Sequence, residues 1–307
     1  MMSAASAAAY AADMPLKAPR AAPVYTYNWS GFYGGLNAGG VWDRGDLAIT
    51  PGGGFSLPPF AVLDPGGLVF AGAGGVPIFV PGTIPLPGTF ATSGRSGSFI
   101  GGGQVGYNWQ SGQTVYGVEA ELQGLKTSQG FTLIGPSTVF AGSGTSIVSA
   151  INGNGSIERN IEGSLRGRVG YTWDRMLAYA TGGLAVTQLK THAAYTYMLT
   201  LPPGITPVPG LTNPATTTTV TDSSMTVAGF TLGGGAEYGV SDNVSVAAEY
   251  RHTFYGRRGV NLGATPTVAS LAGNGVPAVI TAGTPVTGSY GLDTNEVLVR
   301  LNWHFSR

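Results

Sequence analysis

The stretch GSLRGRVGYTWDRMLAYATGGLA (163–185) decides the fold. Leu165, Val169, Tyr171 and Trp173 share one parity, and Ser164, Arg166 and Arg168 share the other. A repeat of two is the signature of a strand whose two faces meet different surroundings. Asp174-Arg175 then reads as a two-residue hairpin turn. That turn pairs Trp173 with Met176 and puts the even-numbered residues of 176–187 on the same face as Leu165 and Trp173.

The same alternation recurs along the chain in about eight segments, each long enough to cross a bilayer as a tilted strand of about 9–11 residues. They fall near 30–42, 97–109, 114–126, 160–173, 176–187, 225–240, 244–255 and 292–305. In 114–126, Tyr116, Val118, Ala120 and Leu122 alternate with Glu119, Glu121 and Gln123. In 244–255, Val246, Ala248, Tyr250 and Phe254 alternate with Glu249, Arg251 and Thr253. In 292–305, Val297, Val299, Leu301, Trp303 and Phe305 alternate with Glu296, Arg300, Asn302 and His304. Connections near 110–113, 174–175 and 241–243 are tight, whereas 43–96, 127–159, 188–224 and 255–291 are long. Strict alternation of short and long connections is the plan of outer-membrane barrels, with short periplasmic turns and long extracellular loops.

Composition agrees. Of 307 residues only 10% are charged, with Gly 51, Pro 20 and no cysteine, and the formal net charge is zero. A soluble domain carries roughly 25% charged residues. Zero net charge removes the electrostatic case for nucleic acid. Without cysteine there is no disulfide framework, thiolate metal site or thiol nucleophile. No apolar run reaches the length of a spanning helix, which leaves a closed barrel as the membrane architecture. We therefore expect an all-β protein, an eight-stranded antiparallel transmembrane barrel over 28–307. Residues 1–27 are set apart: an Ala-rich export-signal tail with Ala9-Tyr10-Ala11 as the cleavage pattern, then a Pro-rich linker.

Two constellations follow. The inward track gathers opposite charges near mid-span, where a lipid-facing charge would cost about 2–4 kcal/mol. Glu119, Glu121, Arg166, Arg168, Glu249, Arg251 and Arg300 are expected to form an ion-pair network that plugs the lumen, with Glu237 lower down. An eight-stranded barrel is just wide enough to be filled by side chains. The outward track carries two aromatic girdles: Trp109, Trp173, Tyr238 and Trp303 near the short turns, and Trp42, Phe99, Tyr250 and Phe254 near the long connections.

Other signals carry less. Gly101, Gly103 and Gly106 spell a nucleotide-type glycine pattern, yet the strand alternation runs on to Trp109 where a helix would have to begin. His192, His252 and His304 have no metal-ligand spacing. His252 reads as interfacial, and His304 as inward near the periplasmic mouth. His192, Asp222 and Ser223 are the residues a rim-based hydrolase would use. No catalytic, cofactor or metal site is assigned.

NWSGFYGGLNAGG (28–40), FIGGGQVGYNWQSG (99–112), VYGVEAEL (115–122), the 163–185 stretch and EVLVRLNWHF (296–305) together resemble the outer-membrane β-barrel domain family of OmpA-like and outer-membrane immunogenic proteins. The resemblance implies eight strands, a cell-outer-membrane location, a surface-antigen role and no enzyme activity. It also implies that a terminal aromatic, here Phe305, is read by the barrel-assembly machinery, although Ser306 and Arg307 follow it. The expected partners are the outer-membrane bilayer, that machinery and extracellular ligands of the long loops. Two other functions stay open: a small-solute or ion channel of low conductance, and surface binding of haem or host molecules through the loops.

Overall fold

The computed structural model describes residues 27–51, 54–56, 71–72, 76–77, 83–85, 90–141, 145–200, 215–264, 268–273, 276–280 and 285–305. Eight long strands dominate: β1 (Gly31–Pro51), β2 (Phe90–Ser111), β3 (Thr114–Ala141), β4 (Thr145–Trp173), β5 (Met176–Thr200), β6 (Ala215–Gly239), β7 (Val244–Ala264) and β8 (Pro285–His304). Each pairs antiparallel with its sequence neighbour, and β1 pairs with β8 from Tyr33↔His304 upward, which closes the ring. The tight turns are where the sequence places them. Gly112 has φ +60°, and Asp174 has φ +52°, the one positive value among described non-glycine residues. A left-handed turn residue matches the twist of two-residue hairpins.

At the turn end the strands are apolar outside and polar inside. Phe32, Val105, Leu122, Leu165, Leu184, Leu232 and Val299 lie exposed on the outer face. Glu119, Arg166, Thr231, Glu249 and Arg300 are buried within. The even track of β5 faces outward, with Met176 and Leu184 exposed and Leu177, Tyr179 and Thr181 buried, as the Asp174-Arg175 turn requires.

Away from the turns the structure departs from expectation. The spans 43–96, 127–159, 188–224 and 255–291 are not loops over most of their described length. β3 and β4 stay paired to Ala141↔Thr145, and β5 and β6 to Leu199↔Ala215. β1 stays paired with β8 to Pro51↔Val286 and with β2 to Ile49↔Phe90. Within the outer connections, Gly54–Ser56 pairs with Thr83–Pro85, Ala71–Gly72 with Val76–Pro77, and Val268–Gly273 with Val276–Ile280.

Two ladders end early. β2–β3 pairing stops at Ile100↔Leu125, and β6–β7 pairing stops at Phe230↔Phe254. Above those points the ring divides into two four-stranded sheets, β3–β4–β5–β6 and β7–β8–β1–β2. Their facing sides enclose an apolar core of Phe131, Leu133, Ile151, Ile157, Leu189 and Tyr195 against Leu47, Ile49, Tyr255, Val260, Leu262 and Tyr290. This is a β-sandwich continuous with a barrel, and its polarity is reversed: apolar within, polar without.

Irregularities in pairing mark the change. β4 shifts register on both sides between Arg159 and Ile161–Glu162, and β7 shifts between Phe254 and Gly256. A bulge adds one residue and exchanges the faces of everything beyond it. Arg159 and Glu162, of opposite parity, are therefore both buried.

Candidate functional site

The inward charges of the ring form one continuous cluster. Arg166 Nη1 lies 2.6 Å from Glu249 Oε1, Arg166 Nη2 lies 2.5 Å from Glu121 Oε2, and the same nitrogen meets Glu119. Arg300 lies 2.5 Å from both Glu249 and Glu119. Arg251 donates from Nε to Glu296 at 2.9 Å, and from Nη2 to Glu121 at 3.1 Å and Gln123 at 2.7 Å. Register explains the assembly. Glu119 and Arg166 are direct partners on β3 and β4, and Arg251 and Glu296 on β7 and β8. The guanidinium fork then spans the lumen to carboxylates it does not face.

Below this centre Arg168 pairs with Glu237 and lies over the Tyr179 ring, 3.8 Å from its centroid. Glu237 accepts from Ser245 and, at 2.8 Å, from Asn302. Above it Arg159 bridges Asp43 at 2.6 Å and Glu162 at 2.5 Å. Tyr33 and Tyr179 donate to Glu119 and Glu249 at 2.7 and 2.9 Å. A file of amides, Gln123 to Asn37 to Gln104 to Asn302, joins the middle to the lower layer. The Tyr33 ring crosses the Gly106 position, where any β-carbon would collide with it.

Glu119, Glu121, Arg166, Arg168, Glu237, Glu249, Arg251 and Arg300, named from sequence, are all buried; six of them are joined by ion pairs at the centre, and Arg168 and Glu237 form a separate pair below. Sequence reasoning did not assign Asp43, Arg159, Glu162 or Glu296 to the cluster. Asp43 and Arg159 fell inside presumed loops, and only the β4 bulge brings Arg159 inward. The signal for Glu296 was its parity with Arg300.

The turn-end mouth holds a second missed element. Tyr27 and Trp29 fold back under the barrel and pack with Val115, Leu177, Tyr179 and Ala247. Trp29 Nε1 donates to Thr172 Oγ1 at 2.9 Å, and its backbone N–H donates to the Gln110 side chain at 2.7 Å. The aromatics assigned to girdles, Trp42, Phe99, Trp109, Trp173, Tyr238, Tyr250, Phe254 and Trp303, are all exposed on the outer face.

The rim residues do not assemble a nucleophilic relay. His192 and Asp222 are cross-strand partners with Nδ1 and Oδ1 2.5 Å apart, while Ser223 has the opposite parity and donates to the Asn261 carbonyl. His252 contacts Asn295 Oδ1 at 2.8 Å and packs on Phe254. Among the described residues no His, Cys, Asp or Glu grouping could hold a metal ion.

A closed ring, apolar outside and ion-paired inside, defines an integral membrane β-barrel. The family model described as the outer membrane protein beta-barrel domain matches residues 1–305, so the chain belongs to that family. The chain is 30% identical over 263 residues to the 31 kDa outer-membrane immunogenic protein of Brucella melitensis, covering 81% of this chain and 82% of the relative. It is 34% identical over 158 residues to the 22 kDa outer membrane protein of Rhizobium leguminosarum bv. viciae, covering 50% and 52% respectively. Among solved structures, Ail, the attachment invasion locus protein of Yersinia pestis, aligns with TM-score 0.31 and 9% identity over 90% of this chain and 99% of that one. The protein resides in the outer membrane.

Proposed function

We propose that the protein is a surface-exposed anchor without enzymatic activity, whose barrel holds an extracellular sandwich in place and whose lumen is closed to solutes. The single observation behind this reading is Arg166, buried and shared among Glu119, Glu121 and Glu249 at the centre of the lumen. Removing one partner of a buried ion network costs about 3–5 kcal/mol, which opposes spontaneous opening. Tyr27 and Trp29 occupy the lower mouth and support the same conclusion. The name of the Brucella relative, an immunogenic protein, supports an antigen-type role for the exposed sheets. We also propose that Phe305, exposed at the end of β8, is the residue read by the assembly machinery.

Conductance of the refolded protein in a planar bilayer tests the closed lumen. The wild-type protein is expected to show no sustained current. Steady open-channel current from wild-type protein overturns the reading in favour of a low-conductance channel.

A further inference from the structure

On the outer face of the β7–β8–β1–β2 sheet, Arg44 of β1 is the direct cross-strand partner of Arg95 of β2, and both side chains are exposed. Directly opposed residues on one face hold their β-carbons about 4.5–5.5 Å apart, and like charges so placed repel. The Arg44 row contains one carboxylate, Asp293 of β8, for the two guanidiniums. Among the described residues neither arginine takes part in an ion pair, whereas their neighbour Arg257 pairs with Asp46.

Depth supplies the second observation. Trp42 and Gly97 form the row immediately below, and the Trp42 ring lies across Gly97 and Gly40, flat against β1 and β2. An indole in that position marks the interface between hydrocarbon and headgroup. The arginine pair stands one row higher, about 7 Å along the strand. That is headgroup depth. Arg95 also lies on the edge of β2 that has parted from β3, so its flank is open.

We propose that Arg44 and Arg95 clamp the phosphate monoester of an outer-leaflet lipid headgroup. A dianionic phosphate accepts bidentate hydrogen bonds from both guanidinium forks and converts their mutual repulsion into attraction. The inference goes beyond the anchoring role and does not depend on the lumen being closed.

The test uses the full-length protein in nanodiscs of phosphatidylcholine doped with phosphatidic acid, a monoester, or with phosphatidylglycerol, a diester. Retained lipid is counted by native mass spectrometry after transfer to neutral detergent. Wild-type protein is expected to retain phosphatidic acid about tenfold over phosphatidylglycerol, as two charge-assisted contacts imply. Arg44→Gln with Arg95→Gln loses this preference, while Lys190→Gln, on the opposite sheet, keeps it. Heat-modifiable gel mobility reports folding of each variant, and the wild-type comparison of the two lipids stands without any variant. Equal retention of the two lipids by wild-type protein overturns the proposal. So does unchanged preference in a folded double variant, or full displacement of the lipid by equimolar inorganic phosphate, which would assign the clamp to the free ion.

Discussion

The same eight strands build two interiors of opposite character. Between the turns and the Asp43–Arg159–Glu162 layer the inside is mostly ionic and the outside apolar; above that layer the inside is mostly Leu, Ile, Val and Tyr and the outside mostly Thr, Ser, Asn, Lys and His, with Ile134 and Val220 as apolar exceptions. Backbone pairing is continuous across the boundary in β1–β8, β3–β4, β4–β5 and β5–β6, apart from the bulges. Strand structure therefore does not choose which face is apolar. The solvent does. In hydrocarbon a greasy outer face costs nothing and charges must turn inward to find partners. In water the ordinary rule returns. The barrel can remain a ring where ion pairs brace its lumen, and it parts into two sheets where apolar packing alone fills the space.

Breaking the ionic interior has the largest expected effect. Arg166→Leu leaves Glu119, Glu121 and Glu249 without their shared cation, and unfolding in detergent should show a loss of about 3–5 kcal/mol. A loss below about 1 kcal/mol would mean that water or protons substitute readily. The apolar interior is next. Leu189→Ala, at 2% exposure, should cost about 2–5 kcal/mol. Hydrogen exchange should place that loss in the upper halves of β4, β5 and β6, with the lower ring still protected. Uniform deprotection would show that the two regions unfold as one.

Exchanging polarity on the outer face separates the two solvents directly. Leu165→Arg, in the lipid-facing band, should cost about 2–4 kcal/mol. Thr132→Arg, exposed on the same sheet above the membrane, should change stability by no more than about 0.5 kcal/mol. Equal penalties in the paired unfolding experiments would place the membrane boundary above Thr132.

The lower region was legible because each segment states its parity strongly. Arg166 and Arg168 against Leu165 and Val169 leave little choice. The turn at Asp174-Arg175 even settled β5, whose two tracks are both small or apolar. The upper region was not legible for two reasons. Its outward residues are Thr, Ser, Asn and Gly, the same residues that mark loops, so Thr132, Asn154, Thr196 and Thr218 read as irregular chain rather than as one face of a sheet. And the bulges in β4 and β7 reverse the alternation partway, so a parity counted from the turns misassigns Arg159. Trp29 left no signal, because nothing in its neighbours says that the chain doubles back beneath the ring.

The Thr and Asn rows on the outside of β3–β6 are backed by Phe131, Leu133, Ile151 and Leu189 pointing the other way. Fold and outward appearance are thus written in interleaved letters of one text. Every second position can be rewritten to present a new outer face while the alternate letters keep the architecture intact. A lineage under such pressure can change its exterior freely without renegotiating how it stands in the membrane.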